Sequence, residues 1–214
     1  MSGWLDQLTD LTDLTTAAVY AVVLTLVFVE SGLLVGFFLP GDSVLFTAGL
    51  LAAEPGSGLR VELLSGGVFV AAVAGDAVGY WTGRRFGRPW LLRRAGRAAR
   101  HVATAERFYE RYGWGAVVVA RFVPWVRTFT PVVAGVARMG YPRFLSANLV
   151  GAAVWGSGLV VLGHVGYSVP WVKWTAYAVA GTAIALSIVA PITAWAVRSR
   201  RRRRADRRQR VVGP

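Results

Sequence analysis

Five long apolar stretches separated by polar or basic segments dominate the hydropathy pattern of the chain. A helix needs roughly 20 apolar residues to cross a hydrocarbon core about 30 Å thick, because each residue adds about 1.5 Å. Three stretches fit this length, namely residues 61–81, 144–165 and 171–197. We predict a transmembrane helix for each of them.

The other two apolar stretches, residues 17–53 and 114–137, do not fit a simple crossing. In the first, Pro40 and Gly41 indicate a turn, and the arm that follows, residues 44–53, covers only about half of a bilayer. In the second, arginines flank both ends, and a single crossing would put one group on the wrong side of the membrane. We therefore predict two re-entrant helical hairpins, with two ordinary crossings as the alternative for the first stretch.

The distribution of charge gives the orientation. The chain is 55% hydrophobic and has a formal net charge of +13, and its arginines concentrate in residues 84–111 and in the tail 198–214. The positive-inside rule places both regions in the cytoplasm. The first hairpin then enters from outside and the second from the cytoplasm, an inverted repeat that is also suggested by Ala48-Gly49 and Ala134-Gly135.

The expected fold is therefore an all-α integral membrane protein, with two opposed re-entrant hairpins and about three transmembrane helices. Residues 88–111 are expected to form a cytoplasmic amphipathic helix that lies against anionic lipid. We divide the chain into an interfacial segment, 1–16, a membrane domain, 17–197, and an Arg-rich cytoplasmic tail, 198–214.

Composition excludes several classes of site and partner. The chain has no cysteine, so disulfides, thiolate metal sites and cysteine nucleophiles are excluded. Only His101 and His164 could supply imidazole ligands, so we expect no metal and no cofactor. Residues 175–197 contain no charge, so the net charge belongs to loops and tails, and no soluble module remains to recognise nucleic acid.

Four charged residues lie inside the predicted hairpins: Glu30 and Asp42 in the first, Arg121 and Arg127 in the second. A charge at the centre of a membrane helix costs about 2.5–3.5 kcal/mol on insertion scales, so it normally faces a partner or a wet cavity. The planar guanidinium matches a phosphate group, and sheltered carboxylates can exchange protons near neutral pH. We predict that the two arginines bind a phosphate headgroup and that the two acids carry protons. Opposed hairpins would bring the two acids towards the two arginines. Alternatively, these pairs only hold the hairpins together.

Polar residues in the predicted spans are given a structural interpretation. Asn148 and His164 are expected to form hydrogen bonds between helices. A glycine stripe is typical of close helix packing, and the polar stripe beside it is interpreted as part of the same packing, with a ligand role as the alternative. These two stripes are Gly75, Gly79, Gly83 and Gly87, followed one residue later by Asp76, Tyr80 and Arg84.

Three motifs in order resemble the DedA family, also called the SNARE-associated or VTT domain, over residues 15–195. They are Glu30 with Phe-Leu-Pro-Gly-Asp-Ser at 38–43, Gly-Asp-x-x-Gly-Tyr-x-x-Gly-Arg at 75–84, and a segment from Arg121 through Pro124 to Gly135. The resemblance implies a multi-pass protein of the bacterial cytoplasmic membrane that transports lipid, with undecaprenyl phosphate or phospholipid as substrate. It also implies that Glu30, Asp42, Arg121 and Arg127 occupy functional positions.

The leading hypothesis from sequence is a translocase for an anionic lipid carrier, most simply undecaprenyl phosphate, with protons as coupling partners and no enzymatic step. A proton-coupled exporter of small ions or drugs and a phospholipid scramblase are the alternatives. An intramembrane phosphatase is disfavoured because neither histidine lies in the arginine motif. The sequence leaves open whether the chain forms a homo-oligomer.

Overall fold

The computed structural model describes residues 3–32, 41–93 and 97–172, and positions 174, 175, 178 and 182. Within these ranges the secondary structure is helical, without strands. Pro40, the tail 198–214 and most of the predicted span 171–197 lie outside the described residues. The elements are α1 (Gly3–Gly32), α2 (Gly41–Ala52), α3 (Val61–Thr82), α4 (Arg88–Arg93), α5 (Arg97–Ala120), α6 (Pro124–Val136), α7 (Tyr141–Ala152) and α8 (Gly158–Gly166), and π-helical segments Gly83–Gly87 and Ala153–Ser157 extend α3 and join α7 to α8.

Three helical stretches of the described chain are long and apolar enough to cross a membrane: Leu14–Gly32, Val61–Arg93 and Tyr141–Gly166. The second and third contain the predicted spans 61–81 and 144–165. The first differs from the expectation for a hairpin arm. Helix α1 continues for 30 residues, about 45 Å, because the polar N-terminal residues extend the same helix as the apolar ones.

The outer surfaces of these stretches carry large apolar side chains. Val70, Trp81, Leu162 and Val165 are each more than half exposed, although they lie within the candidate spans. In water such a surface would be unfavourable, whereas acyl chains solvate it without cost. The protein is therefore a multi-pass integral membrane protein.

Two other apolar helices are too short to cross. Helix α2 has 12 residues and α6 has 13, so each covers about 20 Å. Helix α5 bends at Gly113, where φ is 40°, and ends at Ala120. Val123 is extended, and α6 begins at the proline that follows it. The stretch 114–137 is therefore interrupted near its middle instead of forming one continuous helix.

The amphipathic region corresponds to α4 and the first part of α5. Val102 and Tyr109 are buried, whereas Arg107 and Arg111 are exposed. Arg88 joins this region to α6, because its Nη1 lies 2.5 Å from Glu106 Oε1 and donates to the carbonyl of Val136 at 2.7 Å. The basic helix is thus fixed to the membrane part of the fold.

The halves of the chain pack in reciprocal fashion. In each half the first helix packs against the following long helix, α1 on α3 and α5 on α7. The second, short helix packs instead against the long helix of the other half, α2 on α8 and α6 on α3 with its π-helical extension. The short helices are thus exchanged between the two halves of the chain.

The reciprocal contacts are made through glycine. A Cβ atom on Gly49 would lie 2.1 Å from the carbonyl oxygen of Val160, and one on Gly135 would lie 2.0 Å from that of Tyr80. Each contact also runs in the opposite direction. A second glycine lies on the partner helix, three residues after the residue whose carbonyl the first glycine meets. This second glycine meets the carbonyl of the residue that lies three positions before the first glycine. The two sets are Phe46 and Gly49 with Val160 and Gly163, and Val132 and Gly135 with Tyr80 and Gly83.

We expect Gly135→Ala to destabilise the protein by about 1–3 kcal/mol, because the added methyl group meets backbone that cannot move away. Gly66→Ala is the matched control, since a Cβ there has no atom within 4 Å and alanine favours the helix. The midpoint of thermal unfolding in detergent measures both. Equal midpoints for Gly135→Ala and the wild type would show that the close contact does not form.

Candidate functional site

Arg127 is placed by a break in the chain. Val123 is extended, Pro124 begins α6, and Arg127 therefore lies in the first turn of that helix. Pro131, four residues later, has no N–H to donate to the carbonyl of Arg127. A cation at a helix N-terminus is opposed by the helix dipole. The start of α6 thus disfavours the positive charge of Arg127, so this charge has to be stabilised by partners from other helices.

The partners of Arg127 are the two acids that the sequence places in the predicted first hairpin. Its Nη1 lies 2.5 Å from Asp42 Oδ1, and its Nη2 donates to Glu30 Oε1. Glu30 comes from α1 and Asp42 from the first turn of α2, so one guanidinium joins three helices. The Glu30 side chain is 6% exposed and that of Asp42 is 45% exposed, so only one of the two acids reaches the surface.

Gly41 makes room for the buried acid. A Cβ atom at this position would lie 1.7 Å from Glu30 Oε2, so the carboxylate lies directly against the start of α2. Glu30 Oε2 is buried and has no hydrogen-bond partner within the described residues. The absence of a side chain at Gly41 is thus required by the neighbouring carboxylate.

Arg121 has different partners from those that the sequence suggested. It does not pair with Glu30 or Asp42; its Nη1 lies 2.6 Å from Asp76 Oδ2 and donates to Asn148 Oδ1 at 2.5 Å. The expectation that both arginines face the hairpin acids is therefore wrong for Arg121. The reason is that α3 and α7 supply a closer carboxylate and amide to the residue at the break.

Trp155 connects the two arginines and was missed by the sequence analysis. Its ring centroid lies 4.5 Å from Cζ of Arg127 and 5.6 Å from Cζ of Arg121, and its Nε1 donates to Asp42 Oδ1 at 3.0 Å. It is buried in the π-helical segment Ala153–Ser157, and such segments often occur at functional sites. A tryptophan in the middle of an apolar span, away from the interfaces that this residue favours, was the available signal.

Several of these groups line one cavity. Its ionisable lining residues come from α1, α3, the end of α5 and α6, and its apolar wall includes an aromatic side chain from α7. The principal lining residues are Glu30, Asp76, Arg121, Arg127, Phe144 and Trp155. Within the described residues there is no group of three or more His, Cys, Asp or Glu side chains that could hold a metal ion.

The glycines and two polar residues of the 75–84 motif make packing contacts. Gly75 lies against the backbone of α1, Gly79 against Pro131 and Gly83 against the carbonyl of Val132. Tyr80 donates to the carbonyl of Met139 and accepts a hydrogen bond of 2.8 Å from Arg84 Nη1. Asp76 is thus the residue of this motif that contributes an ion pair to the cavity.

The two isolated polar residues of the later spans differ. Asn148 Nδ2 donates to the carbonyl of Val73 at 3.3 Å, so Asn148 bonds between helices as expected and also contacts Arg121. His164 was expected to do the same, but its buried Nδ1 has no partner within the described residues. The close approach of α8 to Gly49 leaves the His164 backbone, and not its ring, at that helix contact.

We expect Arg127→Gln to destabilise the protein, because it leaves Glu30 without a counter-ion. Breaking a fully buried pair costs about 3–5 kcal/mol, and the loss is smaller here because Asp42 is half exposed. The double variant Arg127→Gln/Glu30→Gln should recover part of the loss in thermal unfolding experiments. Arg85→Gln, at an exposed position, is the control, and an unchanged midpoint for Arg127→Gln would contradict the assignment.

Comparison with known proteins agrees with this architecture. The VTT domain family matches residues 39–165. The chain is 42% identical over 158 residues to the membrane protein Rv0364 of Mycobacterium tuberculosis, covering 73% of this chain and 69% of the relative. It is 39% identical over 157 residues to Protein DedA of Escherichia coli K12, covering 72% of each chain.

A third relative is the membrane protein ML0287 of Mycobacterium leprae, which is 41% identical over 159 residues, with 73% of this chain and 70% of the relative covered. No solved structure matches the chain significantly. The family match covers more than half of the chain, and the relatives extend it to nearly three quarters. The chain therefore belongs to the DedA family of membrane proteins and contains a VTT domain.

Proposed function

We propose that the protein is a translocase that moves a polyprenyl phosphate, with undecaprenyl phosphate as the candidate substrate, across the bacterial cytoplasmic membrane. The observation that supports this proposal is the meeting of two guanidinium groups, Arg121 and Arg127, at one cavity among apolar helices. Arginine binds phosphate oxygens through parallel N–H donors. The headgroup binds in the cavity while the prenyl tail stays in lipid.

The short helices support a transport site. Asp42 and Arg127 lie in the first turns of α2 and α6 and contact each other, so the N-termini of both short helices face the same site. Transporters often use the N-termini of discontinuous helices in this way for anionic substrates. We propose that the two hairpins enter from opposite faces, with the basic helices and the C-terminal tail in the cytoplasm.

Protons complete the proposed cycle. Glu30 and Asp42 compete with phosphate for the same guanidinium group, that of Arg127. When these acids bind protons, Arg127 loses its internal partners and becomes available for the headgroup. When the acids lose their protons, they recapture Arg127 and favour release. This exchange needs no nucleophile and no covalent intermediate, so the proposed activity is transport without catalysis.

Reconstitution tests the proposal. Purified protein in liposomes should move a fluorescent polyprenyl phosphate between leaflets, measured by its protection from a membrane-impermeant quencher. We expect Arg127→Lys to reduce the rate at least about tenfold, because lysine keeps the charge but cannot join two acceptors in a planar fork. Arg85→Lys, at an exposed position, should retain the wild-type rate.

Two results would contradict the proposal. One is a rate no greater than that of empty liposomes under every pH gradient applied. The other is full activity in Arg127→Lys, which would exclude recognition through the fork. Proton-coupled movement of a soluble cation or drug, without competition by the lipid, would assign the same carboxylates to an exporter instead.

A further inference from the structure

Asp76 is an acidic residue of the cavity that the proposed cycle does not use. Its side chain is 8% exposed, and it lies in α3 among apolar residues and glycines. Its Oδ2 atom is 2.6 Å from Nη1 of Arg121. No packing requirement calls for a carboxylate here, because an apolar pair of similar volume holds two helices together at lower cost.

The acids and arginines that form ion pairs at the cavity and beside it do not balance in number. Three carboxylates, those of Glu30, Asp42 and Asp76, face two guanidinium groups. Arg127 is shared by two acids, whereas Arg121 has one acid and the neutral amide of Asn148. An additional anion therefore meets an excess of negative charge, and it can bind only if it replaces a resident carboxylate or if carboxylates are protonated.

The contacts of Arg121 use one corner of its guanidinium group. Nη1 is the atom that meets both Asp76 and Asn148. A bidentate phosphate uses two parallel N–H donors, either Nη1 with Nη2 or Nη2 with Nε, and Asp76 occupies the first of these two edges of Arg121. Gly151 leaves space for the side chain of Arg121, because a Cβ atom at position 151 would lie 2.8 Å from Arg121 Cδ.

We propose that Asp76 is the resident counter-ion of Arg121, and that an anionic headgroup gains the Nη1–Nη2 edge of Arg121 only by displacing it. This inference rests on the proposed function. Asp76 thereby sets the charge that a substrate must bring. A phosphate monoester carries close to two negative charges at neutral pH and can compete with a carboxylate, whereas a phosphodiester carries one. Asp76 thus favours lipids with a terminal phosphate over ordinary phospholipids.

Two substitutions that hardly change the size of the side chain should shift the competition between carboxylate and phosphate for Arg121 in opposite directions. Asp76→Asn removes the internal competitor, so we expect it to bind decyl phosphate about tenfold more tightly than the wild type. Asn148→Asp places a second carboxylate on Arg121 Nη1, so we expect about tenfold weaker binding. Both changes correspond to about 1.4 kcal/mol. A residue with only a structural role would weaken binding in both variants.

Calorimetric titration of the full-length protein in detergent micelles measures these affinities. The probes are decyl phosphate and a short-chain phosphatidylglycerol, a monoester and a diester. The preference of the wild type for the monoester should shrink in Asp76→Asn. In liposomes, the same variant should bind its lipid more tightly but transport it more slowly at saturation, because release is then hindered.

The outcomes separate this inference from the proposed function. If the wild type binds decyl phosphate and folded Asp76→Asn binds it equally or more weakly, the inference about Asp76 is overturned while the proposed function stands. If neither the wild type nor the variants bind it, both fail. If Asp76→Asn does not fold, Asn148→Asp decides, because it adds a carboxylate and removes none. Unchanged or tighter binding in Asn148→Asp would overturn the inference.

Discussion

The fold depends on neutralising charge inside an apolar structure. Arg127 lies where its own helix disfavours a cation, and Glu30 lies buried within the longest helix of the described chain. Neither charge is tolerable alone, and together with Asp42 they join three helices from both halves of the sequence. The same requirement makes the arrangement sensitive to protons and anions, since either can change the balance of charge. Stability and the proposed transport thus rest on one set of contacts.

The two arginines have unequal surroundings although they lie in the same motif. Arg127 contacts two acids, one of them half exposed, whereas Arg121 is almost enclosed and shares its Nη1 atom between an acid and an amide. Trp155 lies against both and bonds to Asp42, so a change at one arginine alters the environment of the other. This coupling requires no long pathway, because the groups line a single cavity.

Length and charge in the sequence predicted the long helices over 61–81 and 144–165, the break within 114–137 and the pairing of Arg127 with Glu30 and Asp42. They did not predict the partner of Arg121, because periodicity along α3 shows which face a residue occupies but not which distant segment packs there. Asp76 shares a face with packing residues, and nothing in its spacing distinguishes it from them. The full length of α1 was also missed, since polar residues and a hydrophobic segment can share one continuous helix.

The glycine contacts also constrain how the molecule can change shape. At Gly49 and Gly135 main chain meets main chain, so no rotamer change can absorb a sliding motion between these helices. The contacts therefore oppose sliding of α2 against α8 and of α6 against α3. Among the described residues, the bend at Gly113 and the extended Val123 lie outside these glycine contacts. A change of shape that preserves the contacts would have to turn each short helix together with the long helix of the opposite half.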